Sequence, residues 1–594
     1  MNKFYLSIRY SFSLLFHANK GIVVIYSLLK IIQPSLSFLG VYIIKLVIDN
    51  ICKENVNIKS VAEFSLAYVV SAILYHIVSM FLDIIGKEMK EKTSFAYDCI
   101  VLDKLSALPL SSIDFAKGRN KIDNVRYIKK DIVQLPFNIF TIISCVYSFA
   151  VALGFMSHFD IAFTFLFLFL TIPGVILNEV FLRKADAFRQ KKAPDVRKFC
   201  YYRWMATDSW PAKDVRMYDL SESIKCRYEQ ERGKYTNAKA RLEKQRMCGQ
   251  LVTEFIRRSG GIVFSIYVVH SAVVGRVTIG EIALYIGYSV TLSDAFQRVL
   301  KVLTNSYRVC SKNVIHYFDF LELQTEQKSV ISKKILEFES LAFDEVYFKY
   351  PHTDKYVLKG VSFTLNKGDK LSIIGINGSG KSTIIKLLLG IYEIESGQIL
   401  INGYPMSDYD MRDVRKLFSV LFQSFVQYPL TLRENIALSS LDRMDNNDEI
   451  EWALAQSGVY EDIKSKLEKG LDSFMTRQFD DRGTELSRGQ WQKIALSRAY
   501  FKNAPIIIFD EPSAALDAEA EDRIFKNFDS VSNGKTGIMI SHRISSARMS
   551  NKIIVLDGGK ITEQGTHEEL VSLNGLYAKL YNLQREKYTV KEGD

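Results

Sequence analysis

A chain of 594 residues is too long for one ordinary core, so two or more domains are expected. Its net charge of +11 comes without a basic stripe interleaved with aromatics, and no nucleic-acid-binding module is recognisable, so nucleic acid is not an expected partner. The seven cysteines are scattered through the first half with no C-x-x-C pair, which argues against a disulfide framework or a cysteine metal site.

Residues 1–20 read as an amphipathic elbow helix at a membrane surface, with Phe4, Leu6, Phe12, Leu14 and Phe16 as its apolar residues and no small-residue cleavage site. Six apolar segments follow, at 21–48, 62–86, 132–156, 160–182, 252–274 and 279–303. Each comes near the roughly 20 residues that cross a bilayer. A backbone in lipid must satisfy its own hydrogen bonds, so all six are expected as helices of an all-α transmembrane domain spanning 21–315.

The links between these segments alternate short and long. The long ones, 87–131 and 183–251, are rich in Lys and Arg, among them Lys87, Lys90, Lys92, Lys191, Lys192 and Arg197. The positive-inside rule puts both links, and with them both termini, in the cytoplasm. Neither link has a proline- or glycine-rich tether. The membrane helices are therefore expected to run on past the bilayer, with turns near Ser111–Phe115 and Ser209–Val215 that would touch the second half of the chain. Ionisable or strongly polar residues inside spans tend to line pathways, which makes His76, Asn178, Glu179, His270 and Asp294 substrate-path candidates. The alternative for Glu179, and for Glu254, Arg257 and Arg258, is the cytoplasmic interface, where such side chains snorkel to water.

After a linker at 316–334, residues 335–594 alternate short apolar strands with charged helices, as an α/β domain does. Within it, Gly375-Ile376-Asn377-Gly378-Ser379-Gly380-Lys381-Ser382 is a G-x-x-x-x-G-K-[ST] phosphate loop. An apolar strand, Leu371–Ile374, leads in, and a helix beginning near Thr383 leads out, which is the context the motif needs. Glycines let backbone N–H groups close around phosphate oxygens, and the helix dipole adds positive potential there. Lys381 is expected on the β- and γ-phosphates and the Ser382 hydroxyl on Mg²⁺. Further on, Ile506–Phe509 is an apolar strand ending in Asp510 and Glu511. Asp510 is expected at Mg²⁺, and Glu511 as the base that polarises the attacking water. The ligand is thus a nucleoside triphosphate, taken as ATP.

Leu486-Ser487-Arg488-Gly489-Gln490 resembles the L-S-G-G-Q signature of ATP-binding cassette (ABC) transporters. The six apolar segments with two long cytoplasmic links resemble the exporter branch, as a half-transporter, and Trp491 after the signature is similar to bacterial lantibiotic-type peptide exporters. The resemblance implies further roles. Tyr350 matches the aromatic that stacks on adenine, and Gln423 the Q-loop glutamine, a catalytic and Mg²⁺-site residue with Ser382 and Asp510. Ser513–Asp517 matches the D-loop and His542 the switch histidine. Asn377, Gly378, Ser379, Gly380 and Thr383 fall in the nucleotide-binding loop, and Ser487, Gly489 and Gln490 in the signature that meets a partner's nucleotide.

The implied machine is a dimer of half-transporters, homomeric or heteromeric, in the cytoplasmic membrane. It drives alternating access with ATP, and its cargo is a peptide or, alternatively, a lipid or hydrophobic drug. An ATP-gated channel or regulatory subunit is the reading from another class. Arg488 departs from the pattern, standing where the family has glycine.

Overall fold

The computed structural model describes residues 2–18, 20–53, 56–114, 116–170, 172–208, 210–309, 314–326, 333, 337–351, 353–512, 534–541, 547–548 and 550–589. The chain divides into two compact units, one of residues 1–107 and 116–323, the other of 108–115 and 324–594.

The first unit is helical. Its helices are α1 (Asn2–Ala18), α2 (Lys20–Ile51) and α3 (Ile58–Ser106), then α5 (Ala116–Phe159), which follows a short α4 (Leu110–Asp114) that groups with the other unit. Next come α6 (Ile161–Phe169), α7 (Ile172–Thr207), α8 (Ala212–Met217), α9 (Ser221–Val273), α10 (Ile279–Val309) and α11 (Ile315–Leu321). Three helical stretches among the described residues are long and apolar enough to cross a membrane: Lys20–Ile51, Ile58–Ser106 and Ile128–Phe159. The segments expected at 252–274 and 279–303 are helical, within α9 and α10, but carry more charge, including Glu254, Arg257, Arg258, Glu281, Asp294 and Arg298.

The segment at 160–182 differs from its expectation as one continuous span. Helix α6 ends at Phe169 and α7 begins at Ile172. Pro173 has no N–H to give the Phe169 carbonyl, so the ladder cannot run through this point unbroken. Part of the segment expected to be linker also forms a helix, α11, because Tyr317 and Phe320 are fully buried. Tyr317 meets Tyr97 at 5.2 Å and shares a 2.6 Å hydroxyl contact with Tyr10 of α1.

Elsewhere in this unit large apolar side chains face outward, among them Leu66, Phe81, Phe95, Ile262 and Val273. An inner core forms from Phe38, Met156, Phe264, Val268, Tyr288 and Leu292. Close helix contact uses glycine: a Cβ on Gly249 of α9 would come 2.5 Å from Leu177 of α7.

The second unit is built on two sheets. The antiparallel one has order β2-β1-β4-β5, from β1 (Ser340–Lys349), β2 (Tyr356–Asn366), β4 (Ser396–Ile401) and β5 (Tyr404–Pro405). The other has order β10-β9-β3-β8-β7-β6, from β3 (Lys370–Gly375), β6 (Phe418–Leu421), β7 (Ile506–Asp510), β8 (Thr536–Ile540), β9 (Lys552–Asp557) and β10 (Lys560–Gly565). Strands β6, β7, β8, β3 and β9 are mutually parallel. Parallel strands are covered on both faces, and every residue of β7 and β8 is accordingly buried.

Helices α12 (Lys381–Leu388), α13 (Met411–Lys416), α14 (Leu432–Ala437), α15 (Asn447–Gln456), α16 (Tyr460–Ile463), α17 (Arg488–Lys502), α18 (His567–Ser572) and α19 (Leu576–Thr589) complete this unit. One core joins the two sheets and α12 through Phe343, Leu358, Ile373, Ile384 and Ile508. A second, helical core joins α14, α15 and α17 through Leu432, Ile450, Leu454, Trp491 and Phe501. Burying such side chains stabilises by roughly 1.5–3 kcal/mol each.

Candidate functional site

Parallel strands end together, so the carboxyl ends of β6, β7, β8 and β3 form one rim, where open α/β sheets bind ligands. The phosphate loop leaves β3 on that rim and opens α12. Its glycines are steric necessities. A Cβ on Gly375 would run into the Leu556 carbonyl oxygen, and one on Gly380 (φ +109°) would come 2.7 Å from Leu358 Cδ2. Gly378 is also left-handed at φ +80°. Asn377 sits exposed in the loop, whereas Ser379, Lys381 and Thr383 are buried.

Lys381 Nζ donates to the carbonyls of Gly375 at 2.9 Å and Ile376 at 3.0 Å. Burial pulls its pKa down, against the opposing pull of the Glu511 and Asp510 carboxylates. Ser379 Oγ is buried and has no hydrogen-bond partner among the described residues, a polar atom that a bound ligand could satisfy.

Strand β7 delivers the acidic pair. Ser382 Oγ donates to Asp510 Oδ1 at 3.3 Å, joining the phosphate loop to β7. Burial, with the neighbouring Glu511 charge, pushes the Asp510 carboxyl up to about 6, while Ser382 and Lys381 oppose the rise. Glu511 has φ +53°, a strained setting for a glutamate at the strand end, and its backbone N–H donates to Ile540 O at 3.0 Å. Gln423, just past β6, donates from Nε2 to Glu511 Oε2 at 2.6 Å. The expected residues Lys381, Ser382, Asp510, Glu511 and Gln423 are thereby brought into one hydrogen-bonded and charge-coupled group.

Tyr350 lies beside the loop: its hydroxyl meets Thr383 Oγ1 at 3.1 Å. Its ring carries Lys386 Nζ at 5.5 Å and Tyr392 edge-on at 5.3 Å. Reading the sequence overlooked Lys386, whose only signal is its place one helical turn after Ser382.

The signature occupies the start of α17. Ser487 is its N-cap, accepting from Gln490 N at 3.2 Å, while Gln490 Oε1 accepts from Ser487 N at 3.0 Å. This reciprocal capping box fixes the first turn. Arg488 is exposed at the first helical position and Gly489 is half-buried behind it. His542 and the Ser513–Asp517 segment lie outside the described residues.

In the helical unit the path candidates separate. Asn178 lines a cavity of about 390 Å³ between α7, α9 and α10. Asp294 joins that region through Arg257, which donates to it at 3.3 Å. Glu179 pairs instead with Arg183 at 2.9 Å. His76 and His270 are exposed on helix surfaces, away from that cavity's lining.

Residues 358–514 match the family model described as ABC transporter. The subtilin transport ATP-binding protein SpaT of Bacillus subtilis is 30% identical over 583 residues, covering 96% of this chain and 93% of that protein. The chain is an ABC transporter. An ATP-dependent lipid A-core flippase of Haemophilus ducreyi is 36% identical over 267 residues, 45% of each chain. The solved structure of a bacterial Atm1-family ABC exporter with ATP bound shares the fold, with TM-score 0.79 at 24% identity over 94% of this chain and 98% of that one. This ABC transporter therefore has the exporter fold: an apolar helical region followed by a cassette, acting as a transport ATPase.

Proposed function

We propose that this ABC transporter exports a peptide, working as a pair of half-transporters whose ATP lies between the phosphate loop of one copy and the Ser487–Gln490 signature of the other. The observation that carries the peptide reading is the extent of the SpaT match. That protein, named for subtilin transport, aligns along 96% of the chain, whereas the flippase alignments cover 45–64% of it. The resemblance to lantibiotic-type exporters in the signature region points the same way.

The rim chemistry suits ATP hydrolysis. Lys381 supplies a cation where charge builds on the terminal phosphates. Glu511, held by Gln423, accepts the proton of the attacking water. A Mg²⁺ fits the donors present: the Ser382 hydroxyl, one Asp510 carboxylate and the amide oxygen that Gln423 keeps while its nitrogen serves Glu511. So few protein oxygens leave the remaining positions to phosphate and water, as that ion prefers, and its charge would neutralise phosphate oxygens. Asp510 gains an ionised form there, offsetting the burial that raises its pKa.

Membrane insertion with both termini and the cassette in the cytoplasm is part of the same reading. The test uses inside-out proteoliposomes of the purified chain with a labelled peptide and, in parallel, a labelled phospholipid. A pump concentrates peptide with ATP, and Lys381→Ala stops it. Phospholipid flipping without peptide uptake would replace the peptide reading by the lipid one, and ATP-triggered equilibration without accumulation would mean a channel.

A further inference from the structure

The cavity between α7, α9 and α10 lies where the charged and apolar stretches of α7 and α9 meet, and its lining is rich in polar groups. They come from one face of each helix. Gln250, Thr253 and Arg257 follow helical spacing on α9, Gly174 and Asn178 on α7, and Gln297 and Lys301 on α10.

The charges here are largely consumed by one another. The Arg257 guanidinium takes both oxygens of Glu254, then Ser293 Oγ at 3.2 Å and Asp294 at 3.3 Å. Glu254 also accepts from Arg258 at 3.2 Å. Two carboxylates and two guanidiniums thus balance. Among the described residues of the lining, Lys301 is the one cation without a carboxylate partner; it lies 3.5 Å from Gln297 Oε1. The amides are not consumed: among the described residues, half-buried Asn178 and exposed Gln250 make no side-chain hydrogen bond.

We infer that this cavity is a cargo subsite that reads the backbone of an extended peptide through the Asn178 and Gln250 amides; the inference rests on the peptide reading above. Each amide offers a donor and an acceptor, which is the complement of a peptide unit and is indifferent to side-chain identity. A phosphate headgroup would call instead for clustered unpaired cations or an arginine fork, and Arg257, the arginine among the described lining residues, is already engaged. Gly174 keeps the space open opposite Thr253: an added Cβ would make ordinary contact with it at 3.6 Å, and a larger side chain would project further.

The test measures stimulation of ATPase activity in proteoliposomes of the full chain. The probes are a neutral, end-capped peptide and its backbone N-methylated copy, which lacks the N–H donors. Wild type should need about tenfold more of the N-methylated copy for half-maximal stimulation, the equivalent of one lost buried hydrogen bond. Asn178→Leu with Gln250→Leu should raise the requirement for the unmethylated peptide about tenfold and erase the preference between the two probes. Asn178→Gln with Gln250→Asn, which retains amides, should recover part of the preference. A misfolded or generally weakened variant would not lose discrimination selectively.

If the leucine variant keeps the wild-type preference, or if wild type shows none, the subsite is overturned while stimulation by peptide still upholds the export reading. If neither probe stimulates and a phospholipid does, both fall together.

Discussion

The two units answer the same hydrophobic effect in opposite directions. In the cassette, apolar side chains turn inward: Ile506, Ile507, Ile508 and Phe509 are wholly buried in a parallel sheet. In the helical unit, Leu66, Phe81, Ile262 and Val273 turn outward, because the expected surroundings are lipid. Polar groups invert in the same way. The cassette gathers Lys381, Asp510, Glu511 and Gln423 at one rim, aimed at a charged ligand. At its cavity the helical unit sets Arg257 against Glu254 and Asp294 and leaves Lys301 and the neutral amides of Asn178 and Gln250 open. One unit is built to bind charge and the other to neutralise it.

The largest effect that would break this contrast lies at the rim. Glu511→Gln should lower phosphate release by about 10²–10⁴-fold while nucleotide binding, followed with a fluorescent ATP analogue, persists. Retention of full turnover would remove Glu511 from its role as base.

Next comes packing. Ile508→Ala should cost the cassette about 2–5 kcal/mol, seen as a lower thermal unfolding midpoint. Ile262→Ala, on an outward-facing position, should move the midpoint in detergent far less. Equal losses would mean that the outer face of α9 is packed against protein.

Arg488→Gly sharpens the comparison within the cassette. Arg488 is exposed at the start of α17, so its loss should change unfolding stability by no more than about 0.5 kcal/mol. A change in turnover without a change in stability would locate Arg488 at the shared ATP site.

The smallest effect is one of pH. Burial, with the Arg548 charge, holds the His567 imidazole below its ordinary 6.5, so folding favours its neutral form. The stability this contributes is complete above pH 6.5 and fades as pH falls through the lower folded value. His567→Phe should flatten the acid side of the midpoint-versus-pH curve. The slope is the quantity to compare, because the substitution also removes the 2.6 Å contact with Tyr577.

The rim was legible in sequence because its groups sit at strand ends, in runs of adjacent residues: Gly375–Ser382 after β3 and Asp510–Glu511 at the end of β7. Strand parallelism then assembles them without further information. The helical unit offers no such shorthand. Arg257 and Asp294 are 37 residues apart, and Asn178 and Gln250 are brought together only by the packing of α7 on α9. Among the substrate-path candidates, polarity inside a span therefore did not separate Asn178 from His76 or His270. The break between α6 and α7 was visible as Pro173 but masked by the apolar run around it. Helix α11 was hidden because its seven residues are too few for periodicity to register, and only tertiary burial of Tyr317 and Phe320 sets its structure.

The claim on which everything rests is that ATP is enclosed by two copies of this chain, phosphate loop against signature. Mixed protomers carrying Asn377→Cys in one and Arg488→Cys in the other, both exposed positions, test it in a Glu511→Gln background whose seven native cysteines are replaced by serine, with a thiol cross-linker. A covalent dimer that forms with ATP, and fades when Lys381→Ala is added to the loop-bearing copy, is the expected result. Cross-linking equal with and without nucleotide, or none at all while ATP is bound, would contradict it.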